Sequence, residues 1–115
     1  MIALHDIYAV IAEPSRRRIL DRLLRSDSTV KELTEELGLS QPLISSHLRL
    51  LRESGLVRVK AVAQRRIYSL DADPLAGVDD WLSAYRERWN RHVDALEAHL
   101  DRQKRLREEN ENESD

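Results

Sequence analysis

The sequence contains no cysteine and no phenylalanine, and it has no long hydrophobic run. Without cysteine, disulfide bonds, thiolate metal sites and thiol-based redox sensing are excluded. No run of about 18 apolar residues occurs, so we expect no membrane-spanning helix and no membrane partner. Residues 1–12 also lack the basic and apolar segments of a secretion signal, so we expect a cytoplasmic protein.

Catalytic motifs are missing as well. The sequence has no glycine-rich phosphate loop, no nucleophile elbow and no His-Glu-x-x-His motif. Ser45, Ser46 and His47 are adjacent, but neighbours on a helix point about 100° apart and do not form a Ser–His pair. We therefore expect a protein that is not an enzyme and that uses no cofactor.

Charge is abundant and unevenly distributed along the 115 residues, which are few enough for a single domain. Residues 1–70 carry 12 Lys and Arg against 8 Asp and Glu, whereas residues 71–115 carry 7 against 13. The first part is therefore basic and the second acidic, although the net charge is only −2. This asymmetry favours a nucleic-acid partner for the first part of the chain.

The stretch from Ser40 to Gly55 predicts one helix with two different faces. Ser40 is the expected N-cap, and Gly55 is expected to end the helix in the left-handed conformation. One face is apolar, and the other carries hydroxyls, an amide and arginines that match the DNA major groove. A plain amphipathic core helix is the alternative. The apolar face comprises Leu43, Ile44, His47, Leu48, Leu50 and Leu51, and the polar face comprises Gln41, Pro42, Ser45, Ser46, Arg49, Arg52 and Glu53.

Two helices are predicted before this stretch, at Ala3–Ala12 and Arg16–Leu24. Glu13–Pro14 separates them, and Ser15 is expected to help start the second helix. Arg16–Arg18 falls in the first turn of that helix, where cations oppose the helix dipole. This position indicates either a nearby phosphate or a solvated surface cluster. The apolar residues are Leu4, Ile7, Tyr8 and Ile11 in the first helix, and Ile19, Leu20, Leu23 and Leu24 in the second.

A third helix is predicted between a capping box and a glycine. Thr29 and Glu32 have the spacing of the box, and Gly38 is expected to end the helix. One residue separates Gly38 from Ser40, so two short helices meet through a tight turn, which is the helix-turn-helix arrangement. Ser26–Ser28 is expected to form a polar turn before the third helix. Its apolar residues are Val30, Leu33 and Leu37, followed by Leu39.

The pattern changes after Gly55 to one typical of strands. Leu56–Lys60 and Arg65–Leu70 contain alternating and β-branched residues, and Ala61–Gln64 joins them. We predict a β-hairpin with Lys60, Arg65 and Arg66 near its tip. A basic hairpin after a DNA-binding helix is a wing that places cations along phosphates or the minor groove.

A long amphipathic helix is predicted from Leu75 to about Leu100, and residues 102–115 are expected to form a disordered charged tail. A small domain cannot cover such a stripe alone, so a second copy is the simplest partner, joined also through the N-terminal helix. The alternatives are folding back onto the chain's own domain and binding an unrelated chain. The predicted dimer interface comprises Leu4, Ile7, Tyr8, Ile11, Trp81, Leu82, Tyr85, Trp89, Val93, Leu96 and Leu100.

Several motifs together resemble the ArsR-type winged-helix transcriptional repressors of bacteria and archaea. They are Ala12–Leu20, Val30–Leu33, Leu39–Pro42 with Ser45–Leu48, and Leu50–Val57, within residues 8–72. The resemblance implies a homodimer that binds operator DNA near its own promoter, and many such repressors release DNA on sensing an effector. It also implies that the helix starting at Ser40 enters the major groove, with base or phosphate contacts from Gln41, Ser45, Ser46 and Arg49.

The histidines give no clear metal site. The resembled family often binds metals through an Asp-x-His pair and a His-x-x-His or His-x-x-Glu pair, and the last helix lacks both motifs. His92 and His99 lie seven residues apart beside the apolar stripe, so interface packing is the simpler interpretation, and we expect no metal. His47 is expected to pack in the core, with direct DNA contact as the alternative.

The predicted fold is mostly α with a β-hairpin wing, a winged helix-turn-helix in the order α-α-α-α-β-β-α that dimerises through its terminal helices. Residues 1–101 form the domain, with a DNA-binding core at about 14–70 and a C-terminal helix at about 74–101. We predict a sequence-specific DNA-binding regulator that represses its own or an adjacent operon, with a protein–protein interaction module as the alternative. A small apolar effector between subunits remains open. Pro42 joins the major-groove set, and the residues predicted at phosphates or the minor groove are Ser40, Arg16, Arg52, Lys60, Arg65 and Arg66.

Overall fold

The computed structural model describes residues 6–113, which contain five α-helices and one antiparallel hairpin in the predicted order α-α-α-α-β-β-α. A short 3-10 helix, Asp73–Leu75, precedes the last helix. The chain divides into two compact units, one ending at Val78 and the other beginning at Asp79. The elements are α1 Ile7–Ala12, α2 Pro14–Arg25, α3 Val30–Leu37, α4 Gln41–Glu53, β1 Val57–Val62, β2 Arg65–Leu70 and α5 Ala76–Glu113.

The first unit encloses a hydrophobic core to which all of its helices and both strands contribute. Each fully buried Leu or Ile contributes about 1.5–3 kcal/mol relative to an exposed one, so the core holds α2, α3 and α4 firmly together. The buried apolar residues are Val10, Ile19, Leu20, Leu23, Leu33, Ile44, Leu48, Leu51, Leu56, Val57 and Tyr68.

The predicted caps of α3 and α4 are confirmed. The Thr29 hydroxyl accepts the Glu32 N–H at 3.2 Å and donates to the Glu32 carboxylate at 3.1 Å. The Ser40 hydroxyl accepts the Leu43 N–H at 3.3 Å. Gly38 and Gly55 both have positive φ, 69° and 82°, as expected of glycines that end helices.

The predicted start of α2 is wrong by two residues. The helix begins at Pro14, and its N-cap is Glu13, whose carboxylate accepts the Arg16 N–H at 3.2 Å. Proline fits the first helical turn because its missing N–H has no partner there. Asp6 caps α1 in the same way by accepting the Tyr8 N–H at 2.9 Å, so the described helix begins at Ile7. The predicted helical residues Ala3 to His5, including Leu4, lie outside the described residues.

The hairpin is longer and tighter than predicted. Register pairs run from Val57 opposite Leu70 to Val62 opposite Arg65, which leaves a two-residue turn at Ala63 and Gln64 instead of a four-residue tip. Ala63 has a φ of 57°, in the left-handed region that such turns require at their first position. The strands continue to the turn because this conformation matches their twist.

A third extended segment joins the hairpin at Ser28. The Ser28 and Tyr68 backbones exchange two hydrogen bonds, at 3.0 and 2.8 Å, and Ser28 is buried. The sequence predicted only a polar turn at Ser26–Ser28, because its pairing partner lies 40 residues away and leaves no local signal.

Two leucines predicted to be buried are exposed: Leu24 is 71% and Leu43 is 41% accessible. In α2 the buried position belongs instead to Arg22, which hydrogen-bonds Glu36 and donates to the Ser26 carbonyl at 2.9 Å. Burial of a charged side chain is favourable only when it is paired in this way.

The last helix, α5, contains 38 residues and continues to Glu113. The sequence predicted its end near Leu100, but residues 102–113, assigned to a disordered tail, are helical. They are rich in Arg, Gln, Lys and Glu, which have high helix propensity even where no apolar stripe is present. Leu75, predicted as the first stripe residue, lies in the 3-10 helix and packs against the core of the first unit.

Candidate nucleic-acid interface

The helix-turn-helix is built around Gly38. The N–H of this residue donates to the Thr34 carbonyl at 3.1 Å and ends α3, and its left-handed φ turns the chain toward α4. Leu39 packs against the core between the two helices, and Ser40 then caps α4. The N-terminus of α4 therefore lies at a fixed position relative to α3.

One side of α4 is anchored in the core and the other faces outward. Ile44, Leu48 and Leu51 are almost completely buried. The predicted DNA-contacting residues of this helix are all exposed on the opposite side, namely Ser40, Gln41, Pro42, Ser45, Ser46, Arg49 and Arg52. Leu43 is exposed as well and adds an apolar group at the edge of this face, which the sequence analysis placed in the core.

His47 lies on the buried side of α4, which favours the packed-core interpretation. The residue has 8% exposure, with Nδ1 3.5 Å from Arg16 Nη1 and Nε2 3.8 Å from a carboxylate oxygen of Glu13. These contacts link α4 to the junction of α1 and α2.

The arginines that begin α2 hydrogen-bond the ends of other helices, and Arg17 and Arg18 are also exposed. Arg16 donates from Nη2 to the Ala9 carbonyl at 3.3 Å and from Nε to the Val10 carbonyl at 2.7 Å. Arg17 donates from Nη1 to the Ile11 and Ala12 carbonyls at 2.7 and 3.0 Å. The acceptors are the last four carbonyl groups of α1, those of Ala9, Val10, Ile11 and Ala12. These are the carbonyls that a helix leaves without internal partners. Arg18 likewise donates to the Leu37 carbonyl at the end of α3, at 2.9 Å.

The cations predicted at the hairpin tip lie on two different faces. Residues opposite each other in an antiparallel pair point to the same side. Arg66 therefore points to the same side of the hairpin as Tyr68, which packs into the core. Arg66 itself lies nearer the turn, beyond the edge of the core. Lys60 and Arg65 share the other face, and all three cations are exposed. Arg65 and Arg66 also line a cleft with the start of α3.

Arg58 is a cation that the sequence analysis did not select. It lies on the same outer face of the hairpin as Lys60 and lines a cleft together with Arg49 and Arg52 of α4. Its Nη2 is 2.7 Å from a carboxylate oxygen of Asp71. The alternation of Val57, Arg58 and Val59 could have placed it on the exposed face, since successive strand residues point to opposite sides.

The residues predicted to form a dimer interface are exposed to different degrees. In α1, Ile7 and Ile11 pack partly against the core, while Tyr8 is 46% exposed. In α5, Val93 is half-buried, and the remaining predicted residues are exposed, namely Trp81, Leu82, Tyr85, Trp89, Leu96 and Leu100. The ring centroids of Trp81 and Tyr85 are 5.1 Å apart.

Within residues 6–113, no three His, Asp or Glu side chains are grouped closely enough to hold a metal ion. None of the helices in that range is long and apolar enough to cross a membrane.

A core-anchored helix-turn-helix followed by a basic hairpin defines the class of winged helix-turn-helix DNA-binding proteins. Comparisons with known proteins agree. The family model "Bacterial regulatory protein, arsR family" matches residues 13–59. The transcriptional repressor SdpR from Bacillus subtilis (strain 168) is 30% identical over 79 residues, covering 69% of this chain and 88% of SdpR. The nodulation protein NolR from Rhizobium meliloti is 34% identical over 89 residues, covering 77% and 70% respectively.

A solved structure supports the same assignment. The ArsR-like transcriptional regulator from Rhodococcus sp. RHA1 aligns with a TM-score of 0.63 at 27% identity, covering 81% of this chain and 88% of that one. The chain therefore belongs to the arsR family of bacterial regulatory proteins. It is a DNA-binding transcriptional regulator and not an enzyme. The predicted winged helix-turn-helix order of elements and the family resemblance are confirmed.

Proposed function

We propose that the protein is a cytoplasmic homodimeric repressor that binds an operator in its own or an adjacent operon. The observation that carries this proposal is the outward face of α4, where hydroxyl, amide and guanidinium groups replace the Glu and Lys of an ordinary surface helix. SdpR is named a transcriptional repressor, which supports repression as the outcome of binding. Covering a promoter blocks transcription without any chemical step.

Sequence recognition is assigned to the first turns of α4. Gln41, with its amide, can bond an adenine edge in two places, and Arg49 can do the same with guanine. Ser45 and Ser46 bond either kind of edge, while Pro42 brings the helix start close to the bases. These exposed groups lie on one side of a helix whose other side is fixed in the core, so little movement of the helix itself is needed for binding.

Phosphate binding is assigned to the groups around this helix. They are the hydroxyl of Ser40, Arg52, and the hairpin cations Lys60, Arg65 and Arg66. Arg16 is left out of this set because its donors are directed at the end of α1. Four cations per subunit give eight per dimer, for which the expected slope of log K against log salt is about −7 on B-form DNA.

The dimer is assigned to the exposed stripe of α5 together with α1. Two Trp and several Leu side chains exposed on one helix are typical of an interface, since aromatic anchors dominate the energy of protein association. A two-fold axis would present two α4 helices to half-sites about 34–36 Å apart, one turn of DNA.

The proposal is tested with Gln41→Ala, because the glutamine is uncharged and acts only on base recognition. Fluorescence anisotropy with a duplex from upstream of the gene is expected to show at least about 30-fold weaker binding, because the dimer loses two bidentate base contacts of about 1–3 kcal/mol each. Binding to a scrambled duplex and the salt slope should be unchanged. Gln103→Ala on α5 is the matched control and should behave as wild type.

Wild-type protein that binds no duplex, or binds with a flat salt dependence, would reject the DNA-binding role. The exposed Trp stripe of α5 would then favour a protein–protein interaction module.

A further inference from the structure

The cleft between the second half of α4 and the start of the hairpin contains three arginines. Arg49 and Arg52 come from α4 and Arg58 from β1, and Glu53 is the acidic residue in the lining. Three guanidinium groups in one cleft repel one another, so the arrangement is unfavourable unless an anion or a nearby carboxylate compensates for it.

Asp71 provides part of this compensation and is itself firmly held. Its N–H donates to the Leu56 carbonyl at 2.8 Å, and its carboxylate accepts the Asp73 N–H at 3.0 Å. The side chain of Asp71 is 16% exposed, whereas that of Arg58, with which it is paired, is 74% exposed. The Asp73 N–H, with Arg58 contributing, lowers the pKa of Asp71, so the carboxylate stays ionised at neutral pH.

We propose that Arg58 is a phosphate-binding residue that connects the recognition helix to the wing, and that Asp71 is the residue that positions it. This inference rests on the proposed DNA-binding function. One edge of the guanidinium is bonded to Asp71, and the exposed remainder faces outward beside Arg49 and Arg52. The phosphate backbone that passes between α4 and the hairpin is the anion whose charge and shape fit this cleft.

A guanidinium fixed by a carboxylate suits phosphate better than a base edge. Its planar fork still presents several N–H donors to phosphate oxygens after one has been used. Because the residue lies on a strand away from the α4 N-terminus, its contact supplies affinity and register but not sequence preference. Asp71 reduces the conformational entropy lost when Arg58 binds.

The experiment measures the salt dependence of DNA binding by the intact dimer. With Arg58 added, five cations per subunit give ten per dimer and an expected slope of log K against log salt of about −9. Arg58→Ala removes two phosphate contacts per dimer, each contributing about 0.9, so the slope should become shallower by about 1.8, to about −7. If the variant and the wild type bind equally at 1 M salt, this difference in slope makes the variant bind roughly 60-fold more weakly than wild type at 0.1 M salt. The loss should be equal for an operator duplex and a scrambled one.

Arg58→Lys keeps the charge and should restore most of the slope, which a purely structural role would not predict. The matched control is Arg86→Ala on α5, because Arg86 forms an exposed pair with Asp79 at the same 2.7 Å distance. This control should keep the wild-type slope. An unchanged slope in Arg58→Ala would overturn the inference while leaving the DNA-binding function intact. A flat slope in the wild type would overturn both.

Asp71→Asn separates positioning from simple neutralisation. If the carboxylate positions Arg58, the variant should keep the wild-type slope and bind both duplexes a few-fold more weakly, although it carries more positive charge. Tighter binding in this variant would show that Asp71 only neutralises Arg58 and would overturn the positioning role.

Discussion

Individual arginines in the first unit have very different environments, although they look alike in the sequence. Arg22 is buried and bonded to Glu36, with a carboxylate oxygen of Glu32 at 3.7 Å. The side chains of Arg16 and Arg17 cap the C-terminal end of α1, where they replace the hydrogen bonds that water would otherwise make to its last carbonyls. Some basic residues in this region therefore stabilise the fold, so the total positive charge overstates the charge available to bind DNA.

The ion pair of Glu36 predicts how stability depends on pH. The hydrogen bond from Arg22 lowers the pKa of Glu36 below its ordinary 4.5 in the folded chain. The unfolded chain then binds the proton more readily, so this contribution to the free energy of unfolding is present above pH 4.5. It is lost as pH falls below 4.5 and through the folded pKa.

Thermal unfolding of Glu36→Gln should therefore give a lower midpoint than wild type at pH 7, and the difference between the two midpoints should become smaller as the pH falls below 4.5. A gap that stays constant between pH 7 and pH 3 would contradict this assignment.

At the scale of single elements, the hairpin turn carries a local strain. Ala63 adopts a φ of 57°, which costs a residue with a Cβ atom about 1–2 kcal/mol and costs glycine almost nothing. Glycine loses about 0.4–1 kcal/mol of this advantage, because the unfolded chain is more flexible with glycine than with alanine at this position.

Ala63→Gly is thus expected to stabilise the protein by about 0.5–1 kcal/mol in urea unfolding. Ala61→Gly is the matched control on β1, where φ is ordinary and glycine should destabilise by about 0.5–1 kcal/mol. If Ala63→Gly is no more stable than wild type, Ala63 does not have a positive φ in solution.

At the scale of the whole molecule, α5 carries more exposed large apolar side chains than any other element among the described residues. Trp81 is 54% and Trp89 is 65% exposed, and the stripe continues through Leu96 and Leu100. Side chains of this size are exposed together mainly where a partner covers them, and the repressor proposal supplies a second copy as that partner.

Trp89→Ala should weaken dimerisation by at least 30-fold in sedimentation experiments, because a central tryptophan contributes about 2 kcal/mol or more to an interface. Glu87→Ala, an exposed polar position on the same helix, should leave the dimer unchanged. A wild-type chain that is monomeric at micromolar concentration would reject the proposed assembly and with it the paired half-sites.

The sequence alone determined the elements whose signals are local. The capping box at Thr29, the left-handed Gly38 and the Ser40 cap specify the helix-turn-helix, because each satisfies backbone groups within four residues. The period of α4 separated its polar and apolar faces, since the buried stripe of a helix repeats every 3.6 residues. The outward arc from Gln41 to Arg49 was predictable for the same reason.

Only the tertiary structure decided which groups meet across long separations. Ser28 pairs with Tyr68, Arg22 replaces Leu24 as a buried residue, and Arg58 joins Arg49 beside α4. None of these contacts follows from spacing along the chain, because each depends on how separate elements pack and on which buried polar groups find partners. Packing, and not local pattern, therefore decided which arginines hydrogen-bond helix ends.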